Sequence, residues 1–85
     1  MQLIAHSAAL TWVASTSAVV GYNVYRGTVS GGPYAKLNSS LIALSTYTDG
    51  TVGSGQTYFY VVTAVDANSV ESTDSSEVSA IIPFP

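Results

Sequence analysis

Apolar and polar residues alternate with a period of two along most of this chain, and the alternation is densest over residues 56–65. Successive side chains of a strand point to opposite faces. A strand here sets Tyr58, Tyr60, Val62 and Ala64 on one face and Phe59, Val61, Thr63 and Val65 on the other. β-branched and aromatic residues favour the pleated backbone. With both faces largely apolar, the pattern predicts a central strand with a neighbour on each side and cover on at least one face. Gly55 opens the run, and Asp66, Ala67, Asn68 and Ser69 close it.

Five further segments show the same period. Residues 8–14 alternate around Leu10 and Trp12, and residues 19–27 around Tyr22 and Val24. Gly21 within the second run marks a bulge or a close approach. Residues 34–38 form a short run whose Lys36 suits an edge strand, since a charge there blocks pairing with another chain. Residues 46–49 place Tyr47 inward, and residues 76–82 end at Pro83, which cannot donate to a ladder. Gly and Pro at positions 27–33 and the polar stretch 66–75 are turn signals. Six strands at about ten-residue spacing, without helical periodicity, predict an all-β sandwich or barrel.

Composition sharpens this picture. Eighty-five residues make one domain, taken as residues 1–85 with 1–7 as an entry segment and partial first strand. A chain this short must have a dense core, and 47% hydrophobic with 11% aromatic residues supplies one. Cysteine is absent from the sequence, so no disulfide contributes. The expected core is Leu10, Trp12, Tyr22, Val24, Tyr47, Tyr58, Tyr60 and Val62, with Trp12 almost fully enclosed at its centre. Charged residues are only 8%, against about 25% in ordinary domains. Arg26 and Lys36 are the only basic residues, which excludes nucleic acid and a basic membrane-binding helix. No apolar run approaches the ~18 residues of a membrane span. Residues 1–6 lack the basic start and long apolar centre of a secretory signal, and the composition suits a domain cut from a longer secreted chain.

Several residues in order resemble a fibronectin type III domain. They are Leu10, Thr11 and Trp12, then Gly21, Tyr22, Asn23, Val24 and Tyr25, then Tyr47. Val52, Gly55, Tyr58, Tyr60, Val62, Ala64, Val65 and Asp66 follow, with Glu77, Val78, Ser79 and Ala80 near the end. The likeness covers residues 8–82. It implies an immunoglobulin-like sandwich of six to seven antiparallel strands, with Tyr58 as the tyrosine corner whose hydroxyl bonds nearby backbone. The run from Tyr25 to Tyr34 is similar to the version in bacterial secreted and surface proteins. That likeness implies an extracellular or cell-surface location within a longer chain. The family's proline-rich first strand is missing or reduced to residues 1–5.

Candidate chemistry is sparse. His6, the single histidine, lies in the entry segment, and its neighbour Ser7 would point to the opposite face of a strand. A Ser–His–Asp arrangement needs an imidazole held by a buried carboxylate, so no catalysis is expected. Asp66, Asn68, Glu71 and Asp74 offer oxygen atoms in one loop, but without EF-hand spacing, and no metal or cofactor is expected. Asn38, Ser39 and Ser40 match a glycosylation acceptor, a match taken as chance. Tyr25, Phe59, Val61 and Val65 share the outer face of the larger sheet and would form a partner surface if exposed. The leading expectation is a non-catalytic spacer or presentation module contacting neighbouring domains of a parent chain. Two alternatives remain: a protein- or polysaccharide-binding module using the outer sheet face, and a subunit that self-associates through an open N-terminal edge strand.

Overall fold

The computed structural model describes residues 6–15 and 18–84, which form six antiparallel strands and no helix. They are β1 (Ala8–Thr11), β2 (Gly21–Gly27), β3 (Ala35–Lys36), β4 (Thr46–Asp49), β5 (Thr57–Val65) and β6 (Val78–Ile81). The nine residues of β5 are the aromatic and β-branched run read as the central strand, and they pair with a neighbour on each side. The larger sheet has the order β3-β2-β5-β6, and β1 and β4 form the smaller one. In the β2–β5 register Val24 lies opposite Val62 and Tyr22 opposite Ala64, so their side chains share the inner face.

Between the sheets Ala8, Val24, Tyr58, Tyr60 and Ile82 form the buried cluster, flanked by Leu10, Trp12, Tyr47 and Val62 among others. Val24 and Tyr60 are fully enclosed. Tyr22 is also buried and meets Trp12 edge to face, with ring centroids 5.4 Å apart. Tyr58 makes the expected corner: Gly53 N–H donates to its hydroxyl at 2.8 Å. Gly21 marks a close approach, because a Cβ there would stand 2.8 Å from Leu41 Cβ. That spacing lets Ile42 bridge to Tyr22 and extend the sheet beyond β3.

Three expectations change. The strand through residues 8–14 ends at Thr11, and Trp12 N–H instead reaches Ser45 C=O at 3.0 Å. Trp12 is consequently half-buried, at the mouth of an open groove of about 510 Å³ that it lines with Leu10, Tyr22, Val62 and Val78. The edge strand 34–38 shrinks to two residues, because Asn38 turns inward. Its Oδ1 accepts from Val24 N–H at 2.8 Å, and its Nδ2 donates to Asn23 Oδ1 at 2.8 Å and to Ser40 C=O at 2.9 Å. Residues 1–5, the reduced first strand and the open edge of the self-association reading, lie outside the described residues.

A charged tie crosses the sandwich. Arg26 points inward from β2, 4.7 Å above the Tyr58 ring, and pairs with Asp49 of β4 at 2.9 Å. Asp49 is 1% exposed and also accepts from Tyr60 Oη at 2.7 Å, Thr51 Oγ1 at 2.6 Å and Thr51 N–H at 3.0 Å. Burial alone would raise the Asp49 pKa. The hydrogen bonds from Thr51 and Tyr60 and the Arg26 guanidinium outweigh it and hold the carboxyl down to about 2. A buried carboxylate is tolerated only with such partners.

Candidate functional site: the outer face of the larger sheet

Strand alternation places Asn23, Tyr25 and Gly27 of β2, Phe59, Val61, Thr63 and Val65 of β5, and Lys36 of β3 on the outer face. This is the face whose apolar residues are expected from sequence to form a partner surface if exposed. The structure buries much of it: Val61 is 3% exposed and Val65 7%, while Tyr25 and Phe59 are half-buried. Two polar features cross this face.

The first is the segment between β2 and β3, which folds back over Gly27. A Cβ at that position would stand 2.6 Å from Pro33 C=O and 3.1 Å from Tyr34 Cδ1. Only glycine admits the backbone so close. The far end of this strap is held by Glu77, just before β6 at the opposite edge. Its carboxylate accepts from Ser30 Oγ at 2.7 Å, from Gly31 N–H at 2.7 Å and from the Tyr34 hydroxyl. The Gly31 N–H and the two hydroxyls lower the Glu77 pKa, while the bond to Glu77 raises that of Tyr34.

The second feature is Glu71. One carboxylate oxygen, Oε2, accepts from Thr63 Oγ1, from the Tyr25 hydroxyl and from Asn23 Nδ2 at 3.2 Å. The Thr63, Tyr25 and Asn23 bonds lower the Glu71 pKa, and the bond to Glu71 raises that of Tyr25. Glu71 is positioned by the chain that carries it. After β5 the loop turns on Asp66, whose Oδ1 accepts from Asn68 N–H at 2.9 Å and Val70 N–H at 3.0 Å. The chain then returns along the β5 edge, where Ser72 N–H donates to Ala64 C=O and Ser75 N–H to Val62 C=O.

Beside Glu71 lies a polar cleft of about 330 Å³ between two walls. Residues 38–41 form one wall and Ser69 and Glu71 the other, with Asn23 and Val65 beneath and Lys36 at the side. The sequence reading singled out Tyr25 and Val65 but missed Asn23, Lys36, Asn38 and Glu71 as a group. Only the contact between distant segments joins them, and no local spacing carries that.

The remaining candidates are placed elsewhere. The oxygens of Asp66 and Glu71 serve separate partners, and no group of three or more His, Cys, Asp or Glu residues among the described residues converges on one point. His6 Nε2 is buried and makes no hydrogen bond among the described residues. Asn38 Nδ2 is committed to internal bonds and is not presented as an acceptor for glycan.

A scan against models of protein families finds no match. The chain is 47% identical over 76 residues to an amylopullulanase of Thermoanaerobacter thermohydrosulfuricus, covering 89% of this chain and 5% of that enzyme. It is 37% identical over 76 residues to an amylopullulanase of Thermoanaerobacterium thermosulfurigenes, again over 89% of this chain and 4% of that one. It thus spans about a twentieth of the curated relatives it matches. A β-1,2-glucanase of Parabacteroides distasonis contains a similar fold, with a TM-score of 0.78 and 29% identity over 93% of this chain and 11% of that one. An Fn3-like protein from Clostridium thermocellum superposes with a TM-score of 0.82 at 42% identity, over 93% of this chain and 79% of that one. Together with the Tyr58 corner and the two antiparallel sheets, this likeness shows that the chain belongs to the fibronectin type III family.

Proposed function

We propose that this domain is a non-catalytic spacer or presentation module of a longer extracellular chain that acts on a glucan. The observation carrying the reading is the alignment itself. Seventy-six residues match one small part of each amylopullulanase, and the same fold is a small part of a β-1,2-glucanase. Both names denote enzymes that hydrolyse glucans. The chemistry of the chain agrees with the reading. Asp49, Glu71 and Glu77 accept several hydrogen bonds each within the fold, an arrangement that fixes elements rather than one that moves protons. A spacer needs a shape that does not yield, and ties between sheets and across a sheet face supply one.

The test is replacement within a glucan-hydrolysing chain that carries the domain. Exchanging it for an unrelated β-sandwich of equal length should leave kcat/KM on a soluble oligosaccharide within about twofold, since a ΔΔG‡ below ~0.4 kcal/mol is all that a change remote from the chemistry should produce. Loss of most activity on the soluble substrate, restored only by this domain, would overturn the reading.

A further inference from the structure

The polar cleft beside Glu71 has a donor and acceptor set that the fold does not use up. Oε2 of Glu71 takes all three internal hydrogen bonds, leaving Oε1 with no partner among the described residues. The Lys36 ammonium, at the side of the same cleft, has neither an ion pair nor a hydrogen bond among them. Ser39 and Ser40 add to the opposite wall hydroxyls that make no hydrogen bond among the described residues, and Leu41, 45% exposed, adds an apolar surface. These groups are held in place beforehand. Asn38 anchors the first wall through Val24 and Asn23, and Thr63 and Asn23, both buried, anchor Glu71. Preorganised polar groups lose little entropy on binding.

The charges select the ligand class. One carboxylate and one ammonium make a site of zero net charge. A phosphate would be repelled by Glu71 and a metal cation by Lys36. A neutral polyol fits both: one hydroxyl donates to Glu71 Oε1, and a neighbouring hydroxyl oxygen accepts from Lys36 Nζ. A pyranose ring also presents C–H groups, which suit Leu41. The volume of about 330 Å³ lies at the small end of ligand sites, suited to a sugar ring or two rather than a long buried chain. We propose that this cleft, between residues 38–41 and Glu71 on the outer sheet face, binds a vicinal diol of a glucan chain. It gives the module a weak hold on the polysaccharide that its parent acts upon. Only the choice of a glucan as the sugar rests on the function proposed above.

The experiment is a titration of the ¹⁵N-labelled chain with maltoheptaose and, separately, with a β-1,2-linked glucan oligosaccharide, followed by amide chemical shifts. Saturable shifts at Asn23, Lys36, Ser39, Ser40 and Glu71 are expected, with a dissociation constant on the order of 1 mM for contacts to one ring. Which sugar produces them identifies the linkage. Lys36→Ala should weaken binding about tenfold, the loss of one charge-assisted hydrogen bond. Its melting temperature should stay within about 1 °C of wild type, because Lys36 is exposed and makes no hydrogen bond among the described residues. Glu71→Gln, with the fold verified from its amide spectrum, should weaken binding as well. The proposal is overturned if neither sugar shifts these amides at about 50 mM, fifty times the expected constant. It is equally overturned if the shifts centre on the groove at Trp12, or if Lys36→Ala binds as wild type does. Such a failure leaves the spacer reading standing, since that reading is judged by activity after domain replacement.

Discussion

At Asp49 a carboxylate is withdrawn from water by the same contacts that keep it ionised. Its bonds to Thr51, Tyr60 and Arg26 join β4 to β2 and β5, so one side chain sets the register between the two sheets. Asp49→Asn keeps the shape and removes the charge, leaving Arg26 without its ionic partner. Breaking a fully buried pair costs about 3–5 kcal/mol. The Arg26 side chain is 24% exposed and recovers some hydration, so about 2 kcal/mol is expected from chemical denaturation of the variant. The pH dependence has a definite sign. A folded pKa of about 2 lies below the ordinary 3.8, so the contribution is fully present above about pH 4 and is lost as pH falls through 2. It amounts to about 2 kcal/mol. Glu71 and Glu77, whose pKa values are also lowered, act in the same direction. Wild type should therefore lose stability between pH 4 and 2 more steeply than Asp49→Asn. Equal slopes would remove Asp49 from this role.

At the scale of elements, periodicity made the strands legible and little else. The two long strands stand where alternation placed them, because β-branched and aromatic runs carry their own pattern. Strand ends were less legible. Trp12 alternates with Leu10 in sequence, yet its N–H leaves the ladder for Ser45, and the ring closes only one side of a groove. The cover on the outer face was illegible for a related reason. Tyr25, Phe59, Val61 and Val65 do share it, but the strap over Gly27 and the Glu71 carboxylate come from segments distant in sequence. In a chain with two basic and five acidic residues, Arg26, Asp49, Glu71 and Glu77 all serve as ties between elements. Composition alone reads such charges as solvated surface. Gly27 tests the strap. Gly27→Ala forces a Cβ to within 2.6 Å of Pro33 C=O and should cost about 1–3 kcal/mol, as overpacking does. Gly50→Ala, where a Cβ would meet nothing within 4 Å, should melt within a degree or so of wild type. Equal melting temperatures for the two variants would show that the strap is not held against the sheet.

For the molecule as a whole, the two sheets are tied to each other through Asp49, Arg26 and Tyr60, and we propose that these ties let the chain fold on its own. A fragment cut out of a larger core would instead need its neighbours. At 85 residues the surface burial is modest, so the claim is demanding. Differential scanning calorimetry of the isolated chain addresses it most directly. A single cooperative transition is expected, with calorimetric and van't Hoff enthalpies equal and a value near 60 kcal/mol, from about 0.7 kcal/mol per residue. A broad transition with a van't Hoff enthalpy well below the calorimetric one, or no transition at all, would contradict it.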